Sequence, residues 1–264
     1  MNNYIDLKGK LALITGGCRG IGKEITLTLA KAGATVIVLD LELNGDFKER
    51  LKEISEKNEI FKGSVRDLNC LNNIKEKILR DHKGLDILVN NAGIMKVSSF
   101  KDISLDEIKE LFEVNVYGVM NCVKIFGGIM TKNKSGKIIN IASTDAQVGT
   151  SGHNSELGVE NVVVYSSTKG AIISFTKSLA VEWGKYNINV NAISPILVET
   201  PMTKHLFEDL KKLKEYKKGL PLGKNPSMKD IANAVIYLSS NLSNSVTGHI
   251  LNVDCGYLAN SMRE

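Results

Sequence analysis

The chain has little cysteine, and what it has is scattered: Cys18, Cys70, Cys122 and Cys255 show no Cys-x-x-Cys spacing. A disulfide framework and the common thiolate metal sites are thereby set aside, which points to reduced thiols and a cytoplasmic protein. The four histidines are equally dispersed, so no metal is expected. No apolar run approaches the roughly 18 residues that a membrane span needs. Met1 to Lys10 is polar and leads to no small-residue cleavage site, so no membrane partner is expected. An excess of charge of one sign is also missing, with 34 Lys and Arg against 29 Asp and Glu. The densest basic run, Lys211 to Lys218, carries Leu206, Leu210 and Leu213 at helical spacing beside it and reads as a solvated helix face. A nucleic-acid reader would carry a broader basic face or a recognisable module, so no nucleic-acid partner is expected.

What the chain does have is alternation. Short β-branched runs recur at Lys10 to Thr15, Thr35 to Asp40, Glu59 to Gly63, Leu85 to Asn90, Lys137 to Ala142, Asn187 to Ile193 and His249 to Val253, with helical patterns between them. Several runs, such as Val36-Ile37-Val38-Leu39, are apolar throughout, as strands covered on both faces must be. Ile21 to Lys31 reads as a helix closed by Gly33, Asp67 as the cap of a helix from Leu68, and Ser104 with Glu107 as a capping box. No linker or repeat interrupts the pattern, so residues 1–264 are expected to form one α/β domain. Its sheet would be doubly wound, seven-stranded and mostly parallel, with helices on both faces.

The first strand runs into Thr15-Gly16-Gly17-Cys18-Arg19-Gly20-Ile21-Gly22, a glycine-rich turn opening a helix, which is the Rossmann-type setting for a pyrophosphate at a helix N-terminus. Asp40 closes the next strand, 18 positions beyond Gly22, where a carboxylate can accept ribose hydroxyls and would repel a 2′-phosphate. Arg19 would attract that phosphate, but the carboxylate is the more direct discriminator, so NAD is expected over NADP. Farther on, Tyr165 and Lys169 stand one helical turn apart, which sets a phenol beside an ammonium. A neighbouring cation would draw the phenol pKa down from about 10 toward the range of a proton-transfer group.

These motifs together resemble the short-chain dehydrogenase/reductase family, in its compact NAD(P)-dependent branch, over essentially the whole chain. Gly16, Gly20 and Gly22, with Arg19 and Ile21 between them, match that family's nucleotide turn, and Asn91, Ala92 and Gly93 match its cofactor-contacting motif after the fourth strand. Asn115 matches the helix Asn of the proton relay, Ser143 the carbonyl-polarising Ser, and Tyr165 with Lys169 the catalytic pair. Pro195, Val198 and Thr200 match the segment that meets the nicotinamide carboxamide, and Ser64 and Val65 fall at the adenine. The resemblance implies hydride transfer between NAD(H) and a secondary alcohol or ketone. Tyr165 would move the proton, Lys169 would hold the ribose and support the phenolate, and Ser143 would donate to the substrate oxygen. It also implies a homotetramer. The stretches 104–132 and 161–184 carry Ile108, Leu111, Phe112, Val116, Val119, Phe126, Ile172, Phe175 and Leu179, more apolar residues than one core-facing stripe needs.

The chain departs from the family pattern in three places. Ser64 stands where relatives often carry Asp or Asn, and Ile196 replaces a Gly that commonly follows the Pro. Ser143 and Tyr165 are unusually far apart, with a polar stretch from Gly149 onward between them. Asp145, Gln147 and His153 in and before that stretch favour a hydroxylated small-molecule substrate such as a polyol or sugar-derived ketone, against the apolar Met95, Leu197 and Met202. Residues 195–225, with a helix from Thr203 to Lys218, would form a lid whose lysines meet an anionic substrate. Three other readings share some of these motifs: an NADPH-dependent 3-oxoacyl-[acyl-carrier-protein] reductase, an epimerase, and a non-catalytic NAD-sensing module.

Overall fold

The computed structural model describes residues 5–43, 45–149 and 161–260. Seven strands, β1 (Leu11–Thr15), β2 (Thr35–Asp40), β3 (Glu59–Lys62), β4 (Ile87–Asn90), β5 (Gly136–Ile141), β6 (Ile188–Pro195) and β7 (Ile250–Val253), form one sheet in the order β3-β2-β1-β4-β5-β6-β7. Every pairing is parallel. The sheet is therefore wholly parallel among the described residues, where the alternation of elements had suggested mostly so.

The apolar runs form strands because both of their faces are buried. Ala12, Ile14, Val36 and Val38 point to one side, where helices α1 (Gly20–Lys31), α2 (Gly45–Ile54) and α8 (Met228–Ser239) supply Ile25, Leu29, Phe47, Leu51, Val235 and Leu238. Their alternates Leu11, Leu13, Ile37 and Leu39 meet α3 (Leu68–Asp81), α5 (Gly118–Asn133) and α6 (Val163–Trp183) through Leu71, Ile78, Val123, Phe126 and Ile172. The two-residue period thus feeds two cores from one sequence run. Asp67 caps α3 by accepting the amides of Asn69 and Cys70, and Ser104 and Glu107 form the expected capping box at the start of α4 (Leu105–Phe112). The long helical stretch from Ser104 is not continuous. A π-helical turn, Glu113–Tyr117, separates α4 from α5, and Asn115 sits in it. Such turns widen the helix and concentrate at functional sites.

The segment after β6 differs most from expectation. A 3-10 turn, Lys204–Phe207, comes first, and then α7 (Leu210–Lys218) starts afresh, because Asp209 caps it by accepting the amides of Lys211 and Lys212. The restart breaks the helical phase. Leu210 is left 75% exposed, while Leu206, Leu213, Tyr216 and Leu220 turn inward and pack with Ile196 and Tyr257 as a small third core. Ile196 needs no left-handed backbone: it is buried and its amide donates to Val253 O at 3.4 Å, continuing the edge of β6.

Most of the apolar residues that suggested an interface are interior. Leu111, Val116, Val119, Phe126, Ile172 and Leu179 are all buried within the chain, as a broad doubly wound core requires. The same helices carry other apolar side chains outward, including Leu105, Tyr117, Val163 and Val181.

Candidate active site

Parallel strands put their carboxyl ends on one side, and the chain crosses over between β1 and β4, which opens a crevice where ligands settle in such sheets. Thr15 lies opposite Asn90, and Asn90 opposite Asn140, so the turns after β1, β4 and β5 leave the sheet together. Between them and the segment after β6 lies a cavity of about 590 Å³.

One end of the cavity is built by the glycine-rich turn. Gly16 has φ +64 and lies against the Ala92 backbone, and a Cβ on Gly22 would overlap the Gly16 carbonyl oxygen and press on Asn91 Nδ2. Asn91 locks this contact by donating from Nδ2 to Thr15 O at 3.1 Å and to Gly16 O at 2.8 Å. The N-terminus of α1 has neither a capping side chain nor an acid in its first turn, so its free N–H groups and positive dipole end face the cavity. That is what a pyrophosphate needs, and the site fits a dinucleotide on this count. Asp40 is buried at the cavity edge, its Oδ2 accepting the Cys18 amide at 2.8 Å, which ties the turn to the end of β2. Arg19, on the exposed rim, faces Glu42 at 3.7 Å. Ser64 uses its hydroxyl to accept the Arg66 amide at 3.2 Å and lines the wall with Val65. Arg66, absent from the sequence reading, adds an ion pair to Glu113 at 2.7 Å.

The other end is held by α6. Asn140 Nδ2 donates to Thr176 Oγ1 at 2.9 Å, Asn115 Nδ2 donates to Thr168 Oγ1 at 3.1 Å, and Lys169 Nζ donates to Ile141 O at 2.8 Å. Three buried polar ties thus fix the helix that carries Tyr165 and Lys169 against β5 and the π turn. Lys169 Nζ lies 5.7 Å from the Tyr165 ring centre, and the Ser143 hydroxyl, in the turn after β5, faces the Tyr165 phenol. Ser143 Oγ also donates to Asp145 Oδ2 at 3.1 Å. Burial draws Lys169 down to about 8. Burial, and after it the Asp145 carboxylate, push the Tyr165 phenol up, against a smaller opposing effect of the Ser143 hydrogen bond. This reverses the direction expected from the Tyr165–Lys169 spacing. The ammonium is itself desolvated, and a nearby carboxylate that spacing could not reveal acts on the phenol.

Each residue assigned above to the dinucleotide lines the cavity, as do Ser143 and Asp145. Asn115 stands behind the wall: its Oδ1 accepts the Ile94 amide at 2.8 Å, and its Nδ2 also reaches Ile94 O at 2.9 Å. Gln147 turns away from the cavity to bridge Ser194 and Asn252, each at 2.8 Å. His153 lies outside the described residues. Tyr216 and Tyr257 line the cavity too, and sequence reading missed both. The available signal was the three- and four-residue spacing of Leu213, Tyr216 and Leu220, which the surrounding lysines obscured. Those lysines do not line the cavity; α7 presents Tyr216 to it instead. Among the described residues no group of His, Cys, Asp and Glu is placed to hold a metal, and no helix is long and apolar enough to cross a membrane.

An uncapped helix N-terminus and a Ser, Tyr and Lys cluster sharing one crevice of a doubly wound sheet fit a dinucleotide-dependent oxidoreductase. Comparison with known proteins gives the same class. Residues 16–258 match the family described as enoyl-(acyl carrier protein) reductase. The chain is 38% identical over 260 residues to a 3-oxoacyl-[acyl-carrier-protein] reductase of Aquifex aeolicus, covering 96% of this chain and 98% of the relative. It is 34% identical over 261 residues to a 2-dehydro-3-deoxy-D-gluconate 5-dehydrogenase of Bacillus subtilis, covering 98% of each. The crystal structure of a gluconate 5-dehydrogenase from Burkholderia cenocepacia, in complex with NADP and tartrate, superposes with a TM-score of 0.87 at 28% identity over 97% of both chains. The chain belongs to the short-chain dehydrogenase/reductase family and is an NAD(P)-dependent oxidoreductase acting on CH–OH groups.

Proposed function

We propose that the protein transfers a hydride between NAD(H) and a hydroxylated secondary alcohol or its ketone. One observation carries this reading: Ser143, Tyr165 and Lys169 meet at one end of a cavity whose other end is the uncapped start of α1 beside Asp40. The nicotinamide, when bound, supplies the hydride acceptor or donor. The chain does the rest. Tyr165 holds the proton exchanged with the substrate oxygen, Ser143 donates to that oxygen as negative charge develops on it, and Lys169 steadies the ribose and the phenol. Asp40 supports NAD as the preferred cofactor, since an acceptor-only carboxylate suits ribose hydroxyls and repels a 2′-phosphate. Glu42 supports it further by occupying Arg19, the cation nearest the turn.

The runner-up is an NADPH-dependent 3-oxoacyl-[acyl-carrier-protein] reductase, favoured by the Aquifex relative and by apolar Met95, Leu197 and Met202 in the cavity wall. The two are separated by nicotinamide absorbance in a screen of polyols, sugar acids, hydroxysteroids, simple secondary alcohols and a 3-oxoacyl thioester with both cofactors. The proposal expects polyol or sugar-derived substrates and kcat/KM higher with NAD(H) than with NADP(H) by about tenfold or more, the worth of one charge contact. NADPH preference with a 3-oxoacyl substrate would install the runner-up, and dinucleotide binding with no turnover of any alcohol would install the sensing module. We also propose a homotetramer, supported by the outward apolar side chains of α4 to α6. Light scattering should give the mass of four chains, and a strict monomer would refute it.

A further inference from the structure

The carboxylate of Asp145 is expensive where it stands. It lies in the turn after β5, lines the cavity beside Ser143, Tyr165 and Tyr216, and is desolvated enough to be pushed up in pKa. A carboxylate in such a place normally has a cation or several donors around it. Among the described residues no cation pairs with Asp145, and its side chain receives one hydrogen bond, from Ser143 Oγ to Oδ2 at 3.1 Å. Tyr216, whose phenol oxygen meets the Leu197 backbone amide, lies close enough to feel the Asp145 charge but makes no hydrogen bond to it.

That single bond conflicts with the chemistry proposed for Ser143. A serine hydroxyl has one proton to donate. When Ser143 turns it to a substrate carbonyl or alkoxide oxygen, Asp145 loses its donor while remaining in a cavity that the substrate has just closed to water. The loss works against catalysis unless the substrate brings a replacement O–H. The replacement must come from close by: the Ser143 oxygen that donates and the Asp145 oxygen that accepts are 3.1 Å apart, a separation that oxygens on adjacent carbons can span.

We propose that Asp145 is a substrate-recognition residue that accepts a hydroxyl on the carbon next to the reacting carbon, so that the enzyme selects vicinal diols and α-hydroxyketones. The inference rests on the hydride-transfer reading above and narrows it. It also says what is refused. A carboxylate directly beside the reacting carbon would meet Asp145 charge to charge, and a 3-oxoacyl chain, with a methylene there, would leave Asp145 without a donor. The lysines of residues 204–218 that sequence reading assigned to an anionic substrate do not line the cavity, so they do not offset this.

The test compares 2-hydroxycyclohexanone with cyclohexanone, and both with the N-acetylcysteamine thioester of acetoacetate, in the wild-type protein, Asp145→Ala and Asp145→Asn. Hydrogen bonds to charged groups set the scale, so wild-type kcat/KM should favour the hydroxyketone over cyclohexanone by about ten- to hundredfold. Asp145→Ala should bring that ratio close to one, and Asp145→Asn, whose amide oxygen still accepts, should keep part of it. Equal wild-type rates on the two ketones would overturn the inference, as would an alanine variant that slows both alike, since a residue that merely positions Ser143 would behave that way. If the wild type neither oxidises NADH or NADPH with these ketones nor reduces NAD or NADP with the polyol panel, the hydride-transfer reading itself fails and carries this inference with it.

Discussion

Replacing Tyr165 by Phe should lower turnover by about a hundred- to ten-thousandfold, the usual worth of a positioned proton-transfer group, while dinucleotide affinity stays essentially unchanged. The separation follows from the geometry. The hydroxyl is the only atom removed, the ring still packs on α6, and Lys169 keeps its anchor on Ile141 O, which does not pass through the phenol. The pH behaviour has a definite sign as well. Burial and Asp145 raise the Tyr165 phenol, so before ligands bind it carries its proton at neutral pH and is ready to give it to a ketone. Alcohol oxidation needs the proton gone, so its kcat/KM should climb with rising pH in the wild type while ketone reduction does not. Steady-state rates across pH, with cofactor titration of the variant by calorimetry, check both halves. A Phe variant that retains turnover removes Tyr165 from its role.

The second large effect is expected at Gly22. Its replacement by Ala puts a Cβ into the Gly16 carbonyl and against Asn91 Nδ2. A backbone carbonyl cannot swing aside as a flexible side chain can, and Asn91 is already committed to Thr15 O and Gly16 O. The turn and the start of α1 must therefore separate, which moves the N–H groups offered to the pyrophosphate. Overpacking of this kind costs about 1–3 kcal/mol, or a few degrees in thermal midpoint for a chain of this size. Dinucleotide affinity should fall as well, on the order of a hundredfold, because the site itself is displaced. Calorimetry of folded Gly22→Ala protein measures it directly; unchanged affinity for both NADH and NADPH would detach the turn from the cofactor.

Much of this was legible in the sequence because the fold leaves local marks. Strands covered on two faces become unbroken apolar runs such as Val36 to Leu39, and helix starts need particular side chains, as at Asp67 and Ser104. The glycine turn is similar, since few other residues survive at Gly16 and Gly22. What the sequence hid depends on contacts made at a distance. The Asp209 cap resets the helical phase, so Leu210 falls outward and Tyr216 inward, against the leucine spacing. The π turn around Asn115 leaves no periodic trace in an apolar stretch. Tyr257 reaches the cavity from a segment more than a hundred residues beyond Ser143 in a chain of 264. The phenol pKa shows the same limit. Spacing places Lys169 beside Tyr165, while the tertiary fold decides how dry both are and brings Asp145 to face them.

Direct hydride transfer from a carbinol carbon, served by Tyr165, Ser143 and Lys169, is tested most closely by isotope transfer. A vicinal diol deuterated at its carbinol carbon should be oxidised with NAD by the wild-type protein, and mass spectrometry should find one deuterium in the reduced cofactor and none from solvent. Reduced cofactor carrying solvent hydrogen in place of the label, or diol consumed with no cofactor reduced, would contradict it.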